Sequence, residues 1–295
     1  MDGNSLAGVR LGVVGTGVMA EAMVAGLIGQ RLIDPARVCC SHPRENRRAA
    51  LQQQYEVATT ASNVEAIDGA DVVLIAVKPQ MLSEVMPELR GSLGTDQLVI
   101  SVIAGASTRA LGDGLLHPAI VRCMPNTPAQ IGQGVTVWFA TDSVDEQGKA
   151  RTRAMLSALG REFEVHHERQ VAMATAVSGT GPTYIFLFIE ALTDAAVHLG
   201  FPRHVARELV LDTMQGSAAF ALHSGRHVAE LRDMVTSPGG TSAEALYQLE
   251  KGGLRTVVSD AVWAAFERTL RIEATLESSD PSDSGAATSS RRILR

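Results

Sequence analysis

The sequence is poor in cysteine, has no surplus of positive charge, and lacks an apolar run long enough to read as a membrane anchor. Its three cysteines are Cys39, Cys40 and Cys123, two of them adjacent, and they make no C-x-x-C pair or Cys/His ligand spacing. Neither a disulfide framework nor a structural zinc site is indicated, and a reducing compartment fits. The formal net charge of −6 repels phosphate backbones and anionic lipid, which excludes nucleic acid and membrane as main partners. The most apolar stretch, Tyr184–Ala191, meets Glu190 and then Asp194, too soon to cross a bilayer. Met1–Val9 lacks the basic-then-apolar profile of a secretory signal. A cytoplasmic location is expected.

What is present is an ordinary globular balance over 295 residues, 45% hydrophobic and 20% charged. Domains usually run to about 100–200 residues, so two are expected. From Val9 to about Ala140, short apolar runs alternate with amphipathic stretches. The runs are Val9–Val14, Arg37–Ser41, Asp71–Val77, Gln97–Ile103 and Ala119–Met124, and the helical segments are Ala20–Gln30, Arg44–Tyr55, Met81–Leu89 and Thr108–Leu115. Near-continuous apolar strands alternating with helices mark a parallel sheet covered on both faces, a doubly wound α/β domain. Val135–Ala140 and Phe163–His166 are expected to close it, giving a domain over residues 1–167.

After Glu168 the strand signals vanish, and an all-α domain over 168–276 is expected. Pro182 and Pro202 sit at helix starts, where proline is favoured. The helix Pro182–Leu199 is apolar almost all round, from Tyr184 through Ile189. Such a helix is buried on every side, and in so small a domain full burial requires a partner subunit. A last amphipathic helix follows from Leu254 to Leu270, and the Ser-, Asp- and Gly-rich stretch 277–295 is expected to be a disordered tail.

Val14-Gly15-Thr16-Gly17-Val18-Met19-Ala20 carries G-x-G-x-x-A between the first strand and the first helix. Gly15 permits the tight turn, Gly17 lets the backbone approach a pyrophosphate, and Ala20 lets helix and sheet pack closely. The anion then rests on the helix N-terminus, as in a Rossmann fold. NAD sites usually hold Asp or Glu at the tip of the second strand, about 20 residues on, for the ribose 2′-OH. Here that tip reads Ser41-His42-Pro43-Arg44, with Arg47 one turn later. Ser41 or His42 as donors, and Arg44 or Arg47 as cations, suit a 2′-phosphate, so NADPH is expected, with NADH as the alternative. Ala76-Val77-Lys78-Pro79 and Val102-Ile103-Ala104 fall beyond the carboxyl ends of later strands, where such sheets bind ligand.

Further on, Pro238, Gly239 and Gly240 form a turn, and Thr241-x-x-Glu244 has the spacing of a capping box. A helix start near Ser242 is expected, with backbone N–H groups suited to a carboxylate and the hydroxyls of Thr241 and Ser242 beside it.

Five ordered motifs make the chain resemble the pyrroline-5-carboxylate reductase family from about Val9 to Glu273. They are Val14–Met19, Ala76–Pro79, Arg122–Pro128, Ser178–Pro182 and, most specific, Ser237–Ser242. The resemblance implies reduction of Δ1-pyrroline-5-carboxylate to proline by NAD(P)H, the last step of proline biosynthesis. It implies a cofactor loop at Val14–Met19, an adenosine end at Ser41, His42 and Asn63, and a nicotinamide end at Ala76–Pro79 and Val102–Ala104. The implied substrate pocket holds Glu168, Asp233, Gly240, Thr241 and Ser242. It also implies dimers interlocked through C-terminal helices, assembled as a decamer of five dimers. Thr180, Thr183 and Ser242 depart from the family's usual Ser, Ala and Thr. At Ser242 the hydroxyl survives but the methyl that restricts its rotamer is lost.

An iminium brings its own proton, so no histidine acid is required, and none lies in the substrate motif. Glu168 is expected to stabilise the iminium charge and Ser242 to hydrogen-bond the ring nitrogen. A β-hydroxyacid dehydrogenase would carry a catalytic lysine on the central helix, whereas the only lysine after Ser178 is Lys251. An imine reductase belongs with that second enzyme reading, resembling this chain at the Rossmann end. A redox sensor that binds NADP without turnover would keep the dinucleotide loop but have no reason to keep Ser237–Ser242.

Overall fold

The computed structural model describes residues 6–278. The first strand, β1 (Leu11–Val14), leads through the glycine loop into α1 (Val18–Gly29). Then follow β2 (Val38–Ser41), α2 (Glu45–Tyr55), β3 (Ala58–Thr60), α3 (Asn63–Ile67), β4 (Val72–Ile75), α4 (Leu82–Leu89), β5 (Leu98–Ser101) and α5 (Thr108–Leu115). The sheet continues with β6 (Ile120–Met124), β7 (Gly134–Ala140), α6 (Glu146–Ser157) and β8 (Gly160–Glu164). Among the described residues these eight strands form one sheet in the order β3-β2-β1-β4-β5-β6-β7-β8. All neighbours pair in parallel except β6 with β7.

The central strands β1, β4 and β5 are buried at every position because both sheet faces are covered. Leu11 and Val13 pack into one core with Val72 and Leu74, and Val14 into the other with Val73 and Ile75. This is the two-residue period of a strand expressed as two cores. Two elements of this half lie outside the expected pattern. The edge strand β3 is only three residues long and partly exposed, so it shows no apolar run. The short α3 is signalled by Ser62, whose side chain accepts from the Glu65 N–H, a Ser-x-x-Glu spacing.

The C-terminal part is helical, as expected: α7 (Arg169–Ala174), a π-helical turn Thr175–Gly179, α8 (Gly181–His198), α9 (Arg203–Ser224), α10 (Val228–Met234), α11 (Thr241–Lys251) and α12 (Leu254–Ser278). Packing divides the described chain into two compact units, Thr180–Ala264 and the remainder. The loss of strand signals placed the boundary at residue 168. By packing, α7 lies on β6 and β7, and the end of α12 groups with the sheet. Of the expected tail, Glu277 and Ser278 complete α12, and the rest lies outside the described residues.

On α8 the side chains of Phe186 and Leu187 are 62% and 66% exposed. Among the described residues one helical run, Arg169–His198, is long and apolar enough to cross a membrane by length and composition, with 17% of its apolar window buried. The apolar stretch Tyr184–Ala191 is thus part of a longer helical run, because α7, the π turn and α8 are continuous.

Candidate active site

The glycine loop stands at the carboxyl ends of β1, β2, β4 and β5. Gly15 has φ +82°, and a Cβ there would lie 2.5 Å from Val77 Cγ1, so only glycine fits. Thr16 is buried; its N–H donates to the Ser41 carbonyl at 3.2 Å and its hydroxyl to the same oxygen at 3.1 Å. The Ser41 Oγ accepts from the Gly15 N–H at 3.3 Å and donates to Asn63 Oδ1 at 2.6 Å. Asn63 in turn donates to Glu88 Oε2 at 2.7 Å. Val14, Gly15, Thr16, Ser41 and Asn63, distant in sequence, thus meet around one loop.

The space above that loop is open. A Cβ at Gly17 would meet nothing within 4 Å, Val18 is 61% exposed, and the α1 N-terminus has no side-chain cap bond. Uncapped N–H groups at a helix start, with room in front, fit a pyrophosphate. Met19 turns inward and packs against the core with Ala76 and Val102. Ala76 N–H donates to the Val14 carbonyl at 2.9 Å and Val102 N–H to the Ile75 carbonyl at 3.1 Å, which aligns the three strand ends. Ile103 is buried, with its N–H on Ser101 Oγ at 3.3 Å, and Ala104 follows it, half-buried. Lys78 is exposed and begins the short helical turn Pro79–Met81.

At the tip of β2, His42 is half-buried, with Nδ1 accepting the Arg44 N–H at 3.1 Å. Burial first, and then the positive charge of Arg44, lower its pKa below the ordinary histidine value. It is therefore neutral at neutral pH. Arg44 is exposed, whereas Arg47 is turned to Glu21, with which it forms an ion pair.

Glu168 stands in a polar cluster that sequence motifs did not foretell. Its Oε1 accepts from the Thr108 N–H at 2.7 Å and from Arg122 Nη1 at 3.0 Å, and its Oε2 from the Thr108 hydroxyl at 2.8 Å. Arg122, in β6, is 3% exposed and donates to Glu273 of α12 as well. Ser107 donates to Glu277 at 2.8 Å. The available signal was Arg122 itself, a charge inside an otherwise apolar strand, which requires partners. Asn126 is a second such residue. It donates to the Ser178 carbonyl in the π turn at 3.2 Å and accepts from the Val135 N–H at 2.8 Å, joining two of the ordered motifs.

Asp233, Gly240, Thr241 and Ser242 lie in the other unit. Asp233, next to last in α10, is exposed and held by Arg232 at 2.7 Å. Gly239 has φ +71°, and the Gly240 N–H closes the turn on the Ser237 carbonyl at 3.0 Å. The expected capping box does not form. Gly240 is the cap, no side chain caps the helix, and Thr241 is the first helical residue. The helix begins one residue earlier than that box requires, which leaves the hydroxyls of Thr241 and Ser242 uncommitted to capping. Among the described residues no group of three or more His, Cys, Asp or Glu side chains is placed to hold a metal.

A doubly wound sheet with an open glycine loop at its strand ends, followed by a helical unit, defines a nucleotide-dependent oxidoreductase. Residues 10–105 match a family model described as NADP oxidoreductase, coenzyme F420-dependent, and residues 168–272 one described as pyrroline-5-carboxylate reductase dimerisation. A pyrroline-5-carboxylate reductase of Synechocystis sp. is 41% identical over 90% of this chain and 98% of its own, and that of Escherichia coli 36% over 89% and 98%. Among solved structures, pyrroline carboxylate reductase of Plasmodium falciparum with NADP bound superposes with TM-score 0.83 at 30% identity, covering 90% of this chain and 98% of that one. The Coxiella burnetii pyrroline-5-carboxylate reductase gives 0.82 at 37%, with the same coverage. The chain belongs to the pyrroline-5-carboxylate reductase family. Its helical unit lies within a dimerisation domain, so the exposed apolar face of α8 is read as a surface for another copy, not for lipid.

Proposed function

We propose that this protein reduces Δ1-pyrroline-5-carboxylate to L-proline with NADPH, completing proline biosynthesis in the cytoplasm. The observation that carries this reading is the likeness to named reductases over 90% of the chain. The open α1 N-terminus above Gly17 supports it at the cofactor end, and the uncapped start of α11 at the substrate end.

The nicotinamide, when bound, supplies the hydride that the imine carbon accepts. The chain's own work is to position the reactants and to support charge. Val14–Met19 holds the pyrophosphate, Ser41, His42, Arg44 and Asn63 the adenosine end, and Ala76–Pro79 with Val102–Ala104 the nicotinamide end. The α11 N-terminus, with Gly240 and Thr241, takes the substrate carboxylate, and the Ser242 hydroxyl the ring nitrogen. Asp233 lines the same pocket. Glu168 is assigned differently from the first expectation. Both its oxygens accept from Thr108 and Arg122, which favours a positioning role, with support of the iminium charge as the alternative.

The exposed face of α8 supports assembly through the helical unit, as an interlocked dimer and then five dimers. The activity is tested by following NADPH oxidation with and without added pyrroline-5-carboxylate, and by identifying proline as product. Oxidation that ignores this substrate but follows a β-hydroxyacid would overturn the reading. Sedimentation tests the assembly, and an active monomer at micromolar concentration would remove it.

A further inference from the structure

Three arginines crowd the corner between β2 and α2, and their side chains are committed differently. Arg48 Nη1 donates to the carbonyls of His42 at 2.8 Å and Pro43 at 2.9 Å, stiffening the corner. Arg47 Nη2 donates to Glu21 Oε2 in the first turn of α1, and its Nε reaches the Thr16 carbonyl at 3.5 Å. Tyr55, at the end of α2, donates to the other Glu21 oxygen at 3.1 Å. Both partners of the Glu21–Arg47 pair are largely withdrawn from solvent, with side chains 23% and 29% exposed. Arg44 alone of the three points outward, exposed at the start of α2.

The tip of the second strand is where a dinucleotide fold meets the ribose 2′ position. Counting arginines there overstates the positive charge a 2′-phosphate would meet. A guanidinium already paired with a carboxylate offers an anion little net field, because the carboxylate cancels most of its charge. We propose that Glu21 sets the strength of cofactor discrimination by locking Arg47 against α1, so that Arg44 alone supplies the cation for a 2′-phosphate.

This rests on the dinucleotide reading above. On it, Arg47 steadies the glycine loop through Thr16 and affects phosphorylated and unphosphorylated ligands alike. Glu21 is a specificity-determining residue although it is placed to touch Arg47 and Tyr55 and not the ligand. Releasing Arg47 adds a second cation beside Arg44.

The experiment is calorimetric titration of 2′,5′-ADP and 5′-AMP, two probes that differ only in the 2′-phosphate, into the full chain. The ratio of their affinities is the readout. Glu21→Ala, and more weakly Glu21→Gln, should raise that ratio about tenfold, the size of one charge-assisted hydrogen bond gained. Arg44→Ala should lower it by a similar factor. The double variant Glu21→Ala with Arg47→Met should return to the wild-type ratio. An unchanged ratio in a folded Glu21→Ala protein overturns the proposal and leaves the pair as a loop clamp only. Should the single Glu21 variants fail to fold, the double variant Glu21→Gln with Arg47→Gln, which removes both charges of the pair together, decides. The lock predicts a ratio within about twofold of wild type even if both affinities drop, whereas a fall as large as that of Arg44→Ala overturns it. A wild-type protein that binds neither probe nor NADPH overturns the dinucleotide reading itself, a failure distinct from an unchanged ratio.

Discussion

Arg122, nearly sealed inside β6, holds Glu168 at 3.0 Å while its other terminal nitrogen reaches Glu273 near the end of α12. One guanidinium therefore ties the sheet to the segment before α7 and to the last helix. Replacing Arg122 with methionine leaves carboxylates without their cation in a poorly hydrated site, and a loss of about 3–5 kcal/mol is expected. Glu168→Gln keeps the shape and part of the bonding and should cost about 1–3 kcal/mol. If Glu168 positions rather than touches substrate, Glu168→Gln should change kcat/KM less than tenfold, roughly, where a lost counter-ion would cost more. Chemical denaturation and steady-state kinetics of the two variants measure both effects.

Two glycines of the cofactor loop should fail in opposite ways. Gly15→Ala forces a side chain into a left-handed conformation and against Val77, so it should destabilise the fold by about 1–3 kcal/mol. Gly17 has φ −81° and open space around its Cα, so alanine should leave the melting temperature near wild type. It should nevertheless weaken NADPH binding by tenfold or more, roughly, because the added methyl stands where the pyrophosphate approaches. Equal NADPH affinity in folded Gly17→Ala would mean that the loop does not face the cofactor.

At Ser242 the structure separates stability from catalysis. Since Gly240 caps α11 and no side chain does, Ser242→Ala should change stability by no more than about 0.5 kcal/mol. Turnover efficiency should fall by about 10- to 100-fold if the hydroxyl holds the ring nitrogen. Ser242→Thr should keep or lower the substrate KM, since the added methyl limits the rotamer. Wild-type kinetics in Ser242→Ala would place the substrate elsewhere.

Acid should weaken the fold partly through His117. The ring is buried beside β5, with an N–H donating to the Gln97 carbonyl at 2.7 Å, and burial lowers its pKa. The unfolded chain therefore takes up a proton at a higher pH than the native one. The stability this provides is full above the ordinary histidine value and is lost as pH falls from there toward the lowered native value. Denaturation midpoints from about pH 8 down to about pH 5 should fall less steeply in His117→Gln than in wild type. His42, also lowered, contributes in the same direction, so the slope should shrink without vanishing.

The local sequence determined most of the cofactor half. Apolar runs with a two-face burial pattern forced the central parallel strands, and Gly15 and Gly17 forced the turn between β1 and α1, because these depend on neighbours in sequence. The edge strand β3 escaped notice since three half-exposed residues carry no such pattern. The ordered motifs named the family, and with it the substrate turn, although the turn's spacing alone suggested a cap that Gly240 takes over. Tertiary structure decided the rest. That Ser41 joins Gly15 to Asn63, that Glu21 captures Arg47, and that Glu168 is spent on Arg122 and Thr108 are pairings across 26, 22, 26, 46 and 60 positions. Charges and hydroxyls have no periodicity that reveals their partners. Which side chain is free and which is already bound emerges only when the sheet brings distant strand ends together.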